Sequence, residues 1–134
     1  MGTPDYERSY ALYQDGRSAW ERGEGAEAID LLRRSTEAAL HFKTLELLGE
    51  YLLEKGDALA AAVHFGAAAA LATDSSRPRF LLGRALAELG HVDAAREQLH
   101  RAIEQRPQFK AARELLAALP AADKEAKLAE GTRS

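Results

Sequence analysis

The sequence predicts an all-α fold of stacked helical hairpins, and three observations support this fold class. Two stretches, LLGEYLLEKGDALAAA at 47–62 and LLGRALAELGHVDAAR at 81–96, share Leu, Gly and Ala at the same places. The shared positions extend to an earlier third copy, at intervals of 33 and 34 residues. Apolar residues within each copy recur at spacings of three and four, which indicates amphipathic helices. A fixed period of this length is typical of stacked supersecondary units.

Three copies of the unit are defined by five columns of mostly small or apolar residues. The columns are Gly16, Gly49 and Gly83; Gly23, Gly56 and Gly90; Ala28, Ala61 and Ala95; Leu32, Phe65 and Leu99; and Ser35, Ala68 and Ala102. Five columns that hold over three copies indicate a repeated structural unit rather than chance. The first copy is the weakest, because it has Asp15 where the other two have Leu.

The second copy shows why each unit is predicted to contain two helices. Leu45, Leu48 and Leu52 share one face of a first helix. Gly56 follows as a C-terminal stop, and Asp57 is a suitable N-cap for the next helix. The third copy repeats this arrangement.

Two glycines stand inside predicted helices and require a packing explanation. Gly49 and Gly83 occupy the same column, although Gly in a helix costs about 1 kcal/mol relative to Ala. We expect each of them to remove a side chain where the two helices of a unit touch. The Ala column at 61 and 95 has the same role on the second helix, and Leu or Phe fills the adjoining space.

The two ends of the chain are predicted to differ from the repeats. Pro107 ends the third unit, because proline cannot continue a helix interior. Residues 110–119 form an amphipathic capping helix, which a solenoid needs to cover its last repeat. Residues 1–8 are a lead-in, and 120–134 are a charged, Ala-rich tail that is either a frayed helix or disordered.

Composition and charge narrow the possible classes of function. The 134 residues correspond to about one domain, and 46% hydrophobic with 29% charged residues fits a folded protein. A net charge of −3 argues against nucleic-acid binding, and the absence of cysteine excludes disulfides. Neither a secretory signal nor a membrane span is predicted. We therefore expect a cytoplasmic protein, or a periplasmic one if a leader was removed.

No set of residues suggests catalysis or cofactor binding. The four histidines are His41, His64, His91 and His100. They form neither an HExxH motif nor another spacing typical of metal ligands. The glycines fall at helix ends and helix contacts rather than in a phosphate-binding loop. We therefore predict a protein that is not an enzyme and has no catalytic, metal or cofactor site.

The columns resemble the tetratricopeptide repeat, a 34-residue unit of two antiparallel helices. The third copy carries the family pattern as Arg79, Leu82, Gly83, Leu86, Gly90, Ala95, Leu99, Ala102 and Pro107. The second carries Leu45, Leu48, Gly49, Leu52, Gly56, Ala61, Phe65 and Ala68, with Thr73 in place of Pro. The resemblance implies a right-handed α-solenoid over 9–119, with repeats at about 9–41, 42–75 and 76–109 and the capping helix at 110–119.

By this resemblance, the first helices of the units line a concave groove that accepts a peptide or helix of another protein. The candidate binding residues are Tyr10, Tyr13, Arg17 and Trp20 in the first unit; Lys43, Glu46, Glu50, Leu53 and Glu54 in the second; and Arg77, Phe80, Arg84 and Glu88 in the third. Spacings of three and four keep each set on one helix face. The alternative interpretation is a solvated face with scattered aromatic residues.

Some members of the family clamp a partner's C-terminal carboxylates with Lys, Asn and Arg on these helices. The matching places here hold Tyr13, Arg17, Leu47, Arg77 and Leu81. Only Arg77 fits that role well, so the resemblance does not extend to this kind of chaperone-tail receptor. Arg17, Arg77 and Arg84 still favour an acidic segment.

Three functional hypotheses remain, all of which concern binding to other proteins. The first is a non-enzymatic adaptor that uses the groove. The second is a dedicated chaperone for a secreted or assembly-prone client, as in the three-repeat chaperones of type III secretion. The third is a self-associating assembly component that forms a homodimer through the aromatic stripe of Tyr6, Tyr10, Tyr13 and Trp20. That stripe has a second interpretation, which is packing against the chain's own neighbouring helix.

Overall fold

The computed structural model describes residues 3–121, in which all regular secondary structure is helical. Its helices are α1 (Pro4–Glu21), α2 (Gly25–Ala38), α3 (Phe42–Glu54), α4 (Ala58–Leu71), α5 (Ser76–Glu88), α6 (Val92–Gln105) and α7 (Lys110–Ala118). The first helix begins inside the predicted lead-in, with Thr3 as its N-cap. The tail that we predict to be frayed or disordered falls, from residue 122 onwards, outside the described residues.

Three hairpins, α1–α2, α3–α4 and α5–α6, are stacked in chain order. The strongest contacts are those between the two helices of each hairpin. The second helix of each hairpin then packs against the first helix of the next, and α7 packs against α6. The predicted all-α solenoid of helical hairpins is confirmed. No helix among the described residues is long and apolar enough to cross a membrane.

Each hairpin turn depends on one glycine in the left-handed region. Gly23, Gly56 and Gly90 have φ angles of 79°, 87° and 84°. In the middle hairpin the N–H of Gly56 donates to the carbonyl of Leu53, and that of Asp57 donates to the carbonyl of Leu52. This pair of bonds is the Schellman motif that closes a helix C-terminus. The side chain of Asp57 then caps α4 by accepting from the N–H of Ala60.

Gly49 and Gly83, two helical glycines of one repeat column, lie where the two helices of a hairpin touch. A Cβ atom at Gly49 would stand 2.4 Å from Cε1 of Phe65, and one at Gly83 would stand 2.9 Å from Cγ of Leu99. Both distances are shorter than a real Cβ contact allows. The packing role predicted for this column is confirmed, because the absent side chains make room for Phe65 and Leu99, which are fully buried.

Two clusters of apolar residues form the core. The larger one runs through the first two hairpins to the start of the third, and its fully buried members include Leu32, Leu48 and Phe65. The smaller one joins α6 to the last helix through Leu99 and Phe109. Because Leu115, Leu116 and Leu119 pack against this second cluster, α7 covers the end of the stack.

Candidate protein-binding surface

The first helices of the hairpins are joined to their neighbours by side-chain contacts along one surface. Trp20 of α1 stacks on Tyr51 of α3, with ring centroids 4.0 Å apart and planes 4° apart. The guanidinium of Arg77 on α5 reaches two carboxylates of α3. Phe80 of α5 lies against Phe109, with centroids 4.9 Å apart. The first two contacts connect the helices that the sequence assigns to the binding groove, and the third joins α5 to the start of α7.

The predicted binding residues fall into three classes of exposure. Tyr10, Arg17, Lys43, Glu54, Arg77, Arg84 and Glu88 are exposed; Tyr13, Trp20, Glu50 and Phe80 are partly buried; and Glu46 and Leu53 are buried. The last two depart from the predicted role as surface contacts. Leu53, only 6% exposed, belongs to the same core cluster as Tyr51, against which Trp20 packs.

The carboxylate of Glu46 is held in an unusual environment. The residue is 6% exposed, and its side chain is 8% exposed. Its Oε2 lies 3.4 Å from Nε of Arg77, and its Oε1 has no hydrogen-bond partner among the described residues. Burial raises the pKa of this carboxyl, and the positive charges of Arg77 and Lys43 only partly oppose the effect. Burial therefore penalises ionised Glu46 more than its neighbours compensate.

Replacing Glu46 by Gln should increase the free energy of unfolding at pH 7. A carboxyl whose pKa is raised by folding contributes stability below its unfolded pKa of about 4.3. That contribution is lost as the pH rises through the folded pKa. The stability difference between variant and wild type should accordingly shrink towards pH 4, as measured by urea unfolding at several pH values.

Glu50→Gln is the matched control, because it removes a more exposed contact with the same Arg77 and should lower the free energy of unfolding by at most about 1 kcal/mol. A Glu46→Gln variant less stable than wild type at pH 7 would contradict the expectation.

The basic side chains of this surface differ in whether they form ion pairs with carboxylates of the same chain. Arg77 is engaged by Glu46 and Glu50, at 3.4 and 2.5 Å. Within residues 3–121, no carboxylate forms an ion pair with Arg17, Lys43 or Arg84. The guanidinium of Arg17 lies 5.9 Å from the ring centroid of Tyr13, and the ammonium of Lys43 lies 5.6 Å from that of Phe42. Three cations thus remain available for an external acidic group.

A cleft of about 160 Å³ opens between α1 and the start of α3. Its lining residues are Tyr6, Ser9, Tyr10, Tyr13, His41, Lys43 and Thr44. The sequence shows the tyrosine stripe but not the cleft, because His41 and Thr44 join it only when the second hairpin packs against α1. The volume and the aromatic lining of the cleft suit one apolar side chain of a ligand, and the ammonium group of Lys43 could pair with a ligand carboxylate.

The histidines of the described part of the chain do not form a metal cluster, and two of them have structural roles. Residues 3–121 contain no group of three or more His, Asp or Glu side chains that could hold a metal ion. His41 instead caps α3, since its Nδ1 accepts from the N–H of Lys43. Nδ1 of His64 lies 2.7 Å from the carbonyl oxygen of Ala60, one turn earlier in α4.

Known proteins share this architecture. The family model of the tetratricopeptide repeat matches residues 52–119. The first TPR domain of Spaghetti (RPAP3), solved with the HSP90 peptide SRMEEVD, superimposes with a TM-score of 0.78 at 18% identity, covering 96% of this chain and 95% of that one. The Sgt2 TPR domain from Aspergillus fumigatus gives 0.74 at 23% identity, covering 98% and 84%. The second TPR domain of human RPAP3, in complex with the HSP70 peptide SGPTIEEVD, gives 0.79 at 18% identity, covering 84% and 95%. No curated protein matches the chain by sequence.

Proposed function

The chain belongs to the tetratricopeptide repeat family, and on that premise we propose that it is a non-enzymatic interaction module which binds a segment of a partner protein. The segment lies across α1, α3 and α5, on the surface described above. The observation that carries the proposal is that Arg17, Lys43 and Arg84 are exposed cations without an ion pair among the described residues, and that Lys43 also lines an aromatic cleft. This combination favours an acidic segment that carries one apolar anchor residue.

Two of the similar domains hold peptides that end in Glu-Glu-Val-Asp. The present chain is a poor match for that ligand, for a chemical reason. Tyr13, Leu47 and Leu81 stand where the family's clamp needs amide or ammonium donors. The charge of Arg77 is already neutralised by two glutamates of α3. We therefore propose an internal acidic segment rather than a free C-terminal tail as the ligand.

The proposal is tested by selecting ligands from a phage-displayed library of random peptides on the immobilised chain. We expect the enriched peptides to contain acidic residues and an apolar anchor, and we expect SRMEEVD not to compete for them. The affinity of an enriched peptide is then measured by isothermal titration calorimetry. Arg84→Glu should weaken binding by about tenfold or more, which corresponds to about 1.4 kcal/mol.

Arg33→Glu is the matched control, because it makes the same charge change at an exposed position of α2, outside the proposed surface. It should leave the affinity unchanged within about twofold. Equal loss in both variants would indicate a general charge effect, and unchanged binding by Arg84→Glu would refute the proposed surface. A library without acidic enrichment would refute the proposed ligand chemistry.

The chaperone and self-assembly hypotheses stay predictions. For self-association through α1, the relevant observation is that Tyr6 and Tyr10 are 50% and 59% exposed. Trp20, in contrast, is used inside the chain by its stacking on Tyr51. The aromatic stripe is thus divided between internal packing and a free surface.

A further inference from the structure

The outward-facing side of α4 is apolar and exposed. The helix sequence, ALAAAVHFGAAAAL, contains no Asp, Glu, Lys or Arg. Leu59 and Val63 are 66% and 63% exposed. With Gly66 and Ala70 they follow spacings of four, three and four, which place all four residues on one line along the helix. We call this line the α4 stripe.

The equivalent helices of the other hairpins serve as internal controls. The column of Val63 holds Asp30 in α2 and Glu97 in α6, and the column of Ala70 holds Glu37 and Glu104. These four carboxylate residues are exposed, as expected of helix faces that meet water. The middle hairpin replaces them with Val and Ala although its position in the stack is similar. A helix with apolar residues on nearly every side is normally buried, yet no residue of 3–121 covers the α4 stripe, where Leu59 and Val63 are exposed.

The stripe has a shape that is complementary to itself. Its large residues, Leu59 and Val63, lie in the N-terminal half, and its small residues, Gly66 and Ala70, lie in the C-terminal half. The space where a Cβ of Gly66 would stand is open, with no atom within 4 Å. If a second α4 lies antiparallel, Val63 faces Gly66 and Leu59 faces Ala70, so that each large side chain meets a small one. Identical patches that complement each other are the requirement for a two-fold symmetric dimer.

The charges of the flanking hairpins favour the antiparallel over the parallel arrangement. A parallel pair would place α2 opposite α6 of the second copy and would set like charges against each other in three columns. Those columns are Asp30 with Glu97, Arg34 with Arg101, and Glu37 with Glu104. An antiparallel pair instead places α2 opposite α2, where Asp30 faces Arg33 of the second copy, and α6 opposite α6, where Glu104 faces Asp93 and Arg101 faces Arg96. It therefore brings like charges together in two columns rather than three, and it adds one pair of opposite charges. Like charges brought together oppose association and opposite charges support it.

We propose that the α4 stripe is a homodimer interface, in which a second copy of this chain packs its α4 antiparallel to the first. The interface uses the second helices of the hairpins, and it therefore leaves the surface of α1, α3 and α5 free for a ligand. This inference does not depend on the proposed peptide-binding function.

The first test is the mass in solution, measured by sedimentation velocity from about 1 to about 500 µM protein. The wild type should shift with concentration from the 14.6 kDa chain to twice that mass. Val63→Asp, which installs the residue type found at Asp30, should remain monomeric with an unchanged helical circular dichroism spectrum. Tyr10→Asp is the matched control, because Tyr10 is 59% exposed on another helix, and this variant should still dimerise.

The second test uses single cysteines, since the chain has none of its own. In the antiparallel pair, two copies of residue 66 are about 4–5 Å apart along the helix axis, and two copies of residue 59 are about 16 Å apart. A disulfide needs Cα atoms within about 7 Å. Gly66→Cys should therefore form an oxidised dimer, and Leu59→Cys should not.

Three results would overturn the proposal. They are a monomer at every concentration, a dimer that persists in Val63→Asp but dissociates in Tyr10→Asp, and cross-linking by Leu59→Cys without cross-linking by Gly66→Cys. The second result would assign self-association to α1 instead, and the third would exclude the antiparallel arrangement.

Discussion

Replacing Phe65 by Ala should lower the free energy of unfolding by about 3–5 kcal/mol, the largest effect expected of a single substitution here. Phe65 is fully buried in the middle hairpin. Its ring fills the space over Gly49, where even a Cβ atom would be 2.4 Å away. Truncation leaves a cavity in the centre of the stack, and neither neighbouring hairpin can close it without moving. Urea unfolding followed by circular dichroism measures the loss.

The contact between Phe65 and Gly49 gives this prediction a specific control. Gly49→Ala alone should destabilise the protein, because the new methyl group meets the buried ring and overpacking typically costs about 1–3 kcal/mol. In a Phe65→Ala background the same change should be neutral or stabilising, since the ring is gone and Ala is the better helix former. Leu59→Ala, at an exposed position of the same helix, should change stability by less than about 0.5 kcal/mol when measured on the monomer. A Phe65→Ala loss below about 1 kcal/mol would contradict the proposed core.

Replacing Trp20 by Ala should lower the free energy of unfolding by about 3 kcal/mol, the lower end for Trp truncations, because Trp20 is only partly buried. Trp20 is the chain's only tryptophan and forms the stacked contact between α1 and α3. The ammonium of Lys55 lies 5.6 Å from its ring centroid and adds a cation–π contact. The substitution removes both interactions between the first and second hairpins.

Trp20→Phe is the control, because it keeps an aromatic ring against Tyr51 and should cost about half as much or less. Circular dichroism is the appropriate probe, since the variants lack the fluorescent residue. Unchanged stability of Trp20→Ala together with lost peptide binding would show that Trp20 contacts the ligand rather than holding the hairpins together. The stacking distance of 4.0 Å favours the structural role.

The hairpin repeat and its turns could be predicted because they depend on local and periodic properties of the chain. Gly56 must adopt a positive φ angle, and few other residues do so without strain. Gly49 must leave room for its partner helix, and the recurrence of glycine in that column records the requirement three times. Such constraints act within one hairpin, so they can be read from spacing alone.

The exposure of individual groove residues could not be predicted in the same way. Helical spacing puts Glu46 and Leu53 on the same face as Glu50 and Glu54, yet the first two are buried. Their burial is decided by side chains of the neighbouring hairpins, which are far away in the sequence. Arg77 likewise belongs to the predicted basic set, but it forms ion pairs with Glu50 and Glu46, which lie 27 and 31 residues earlier in the chain.

The sequence by itself determined the helical repeat, the glycine turns of its hairpins and the small residues at their contacts, because each follows from helix periodicity and backbone sterics. Only the tertiary structure decided which faces the stacked hairpins cover. In the stacked structure Glu46 is buried rather than part of the binding surface, and a cleft forms beside Tyr10. Leu59 and Val63 remain exposed to water. The physical reason is that burial depends on the neighbours a side chain acquires when hairpins stack, and the sequence of one helix does not specify those neighbours.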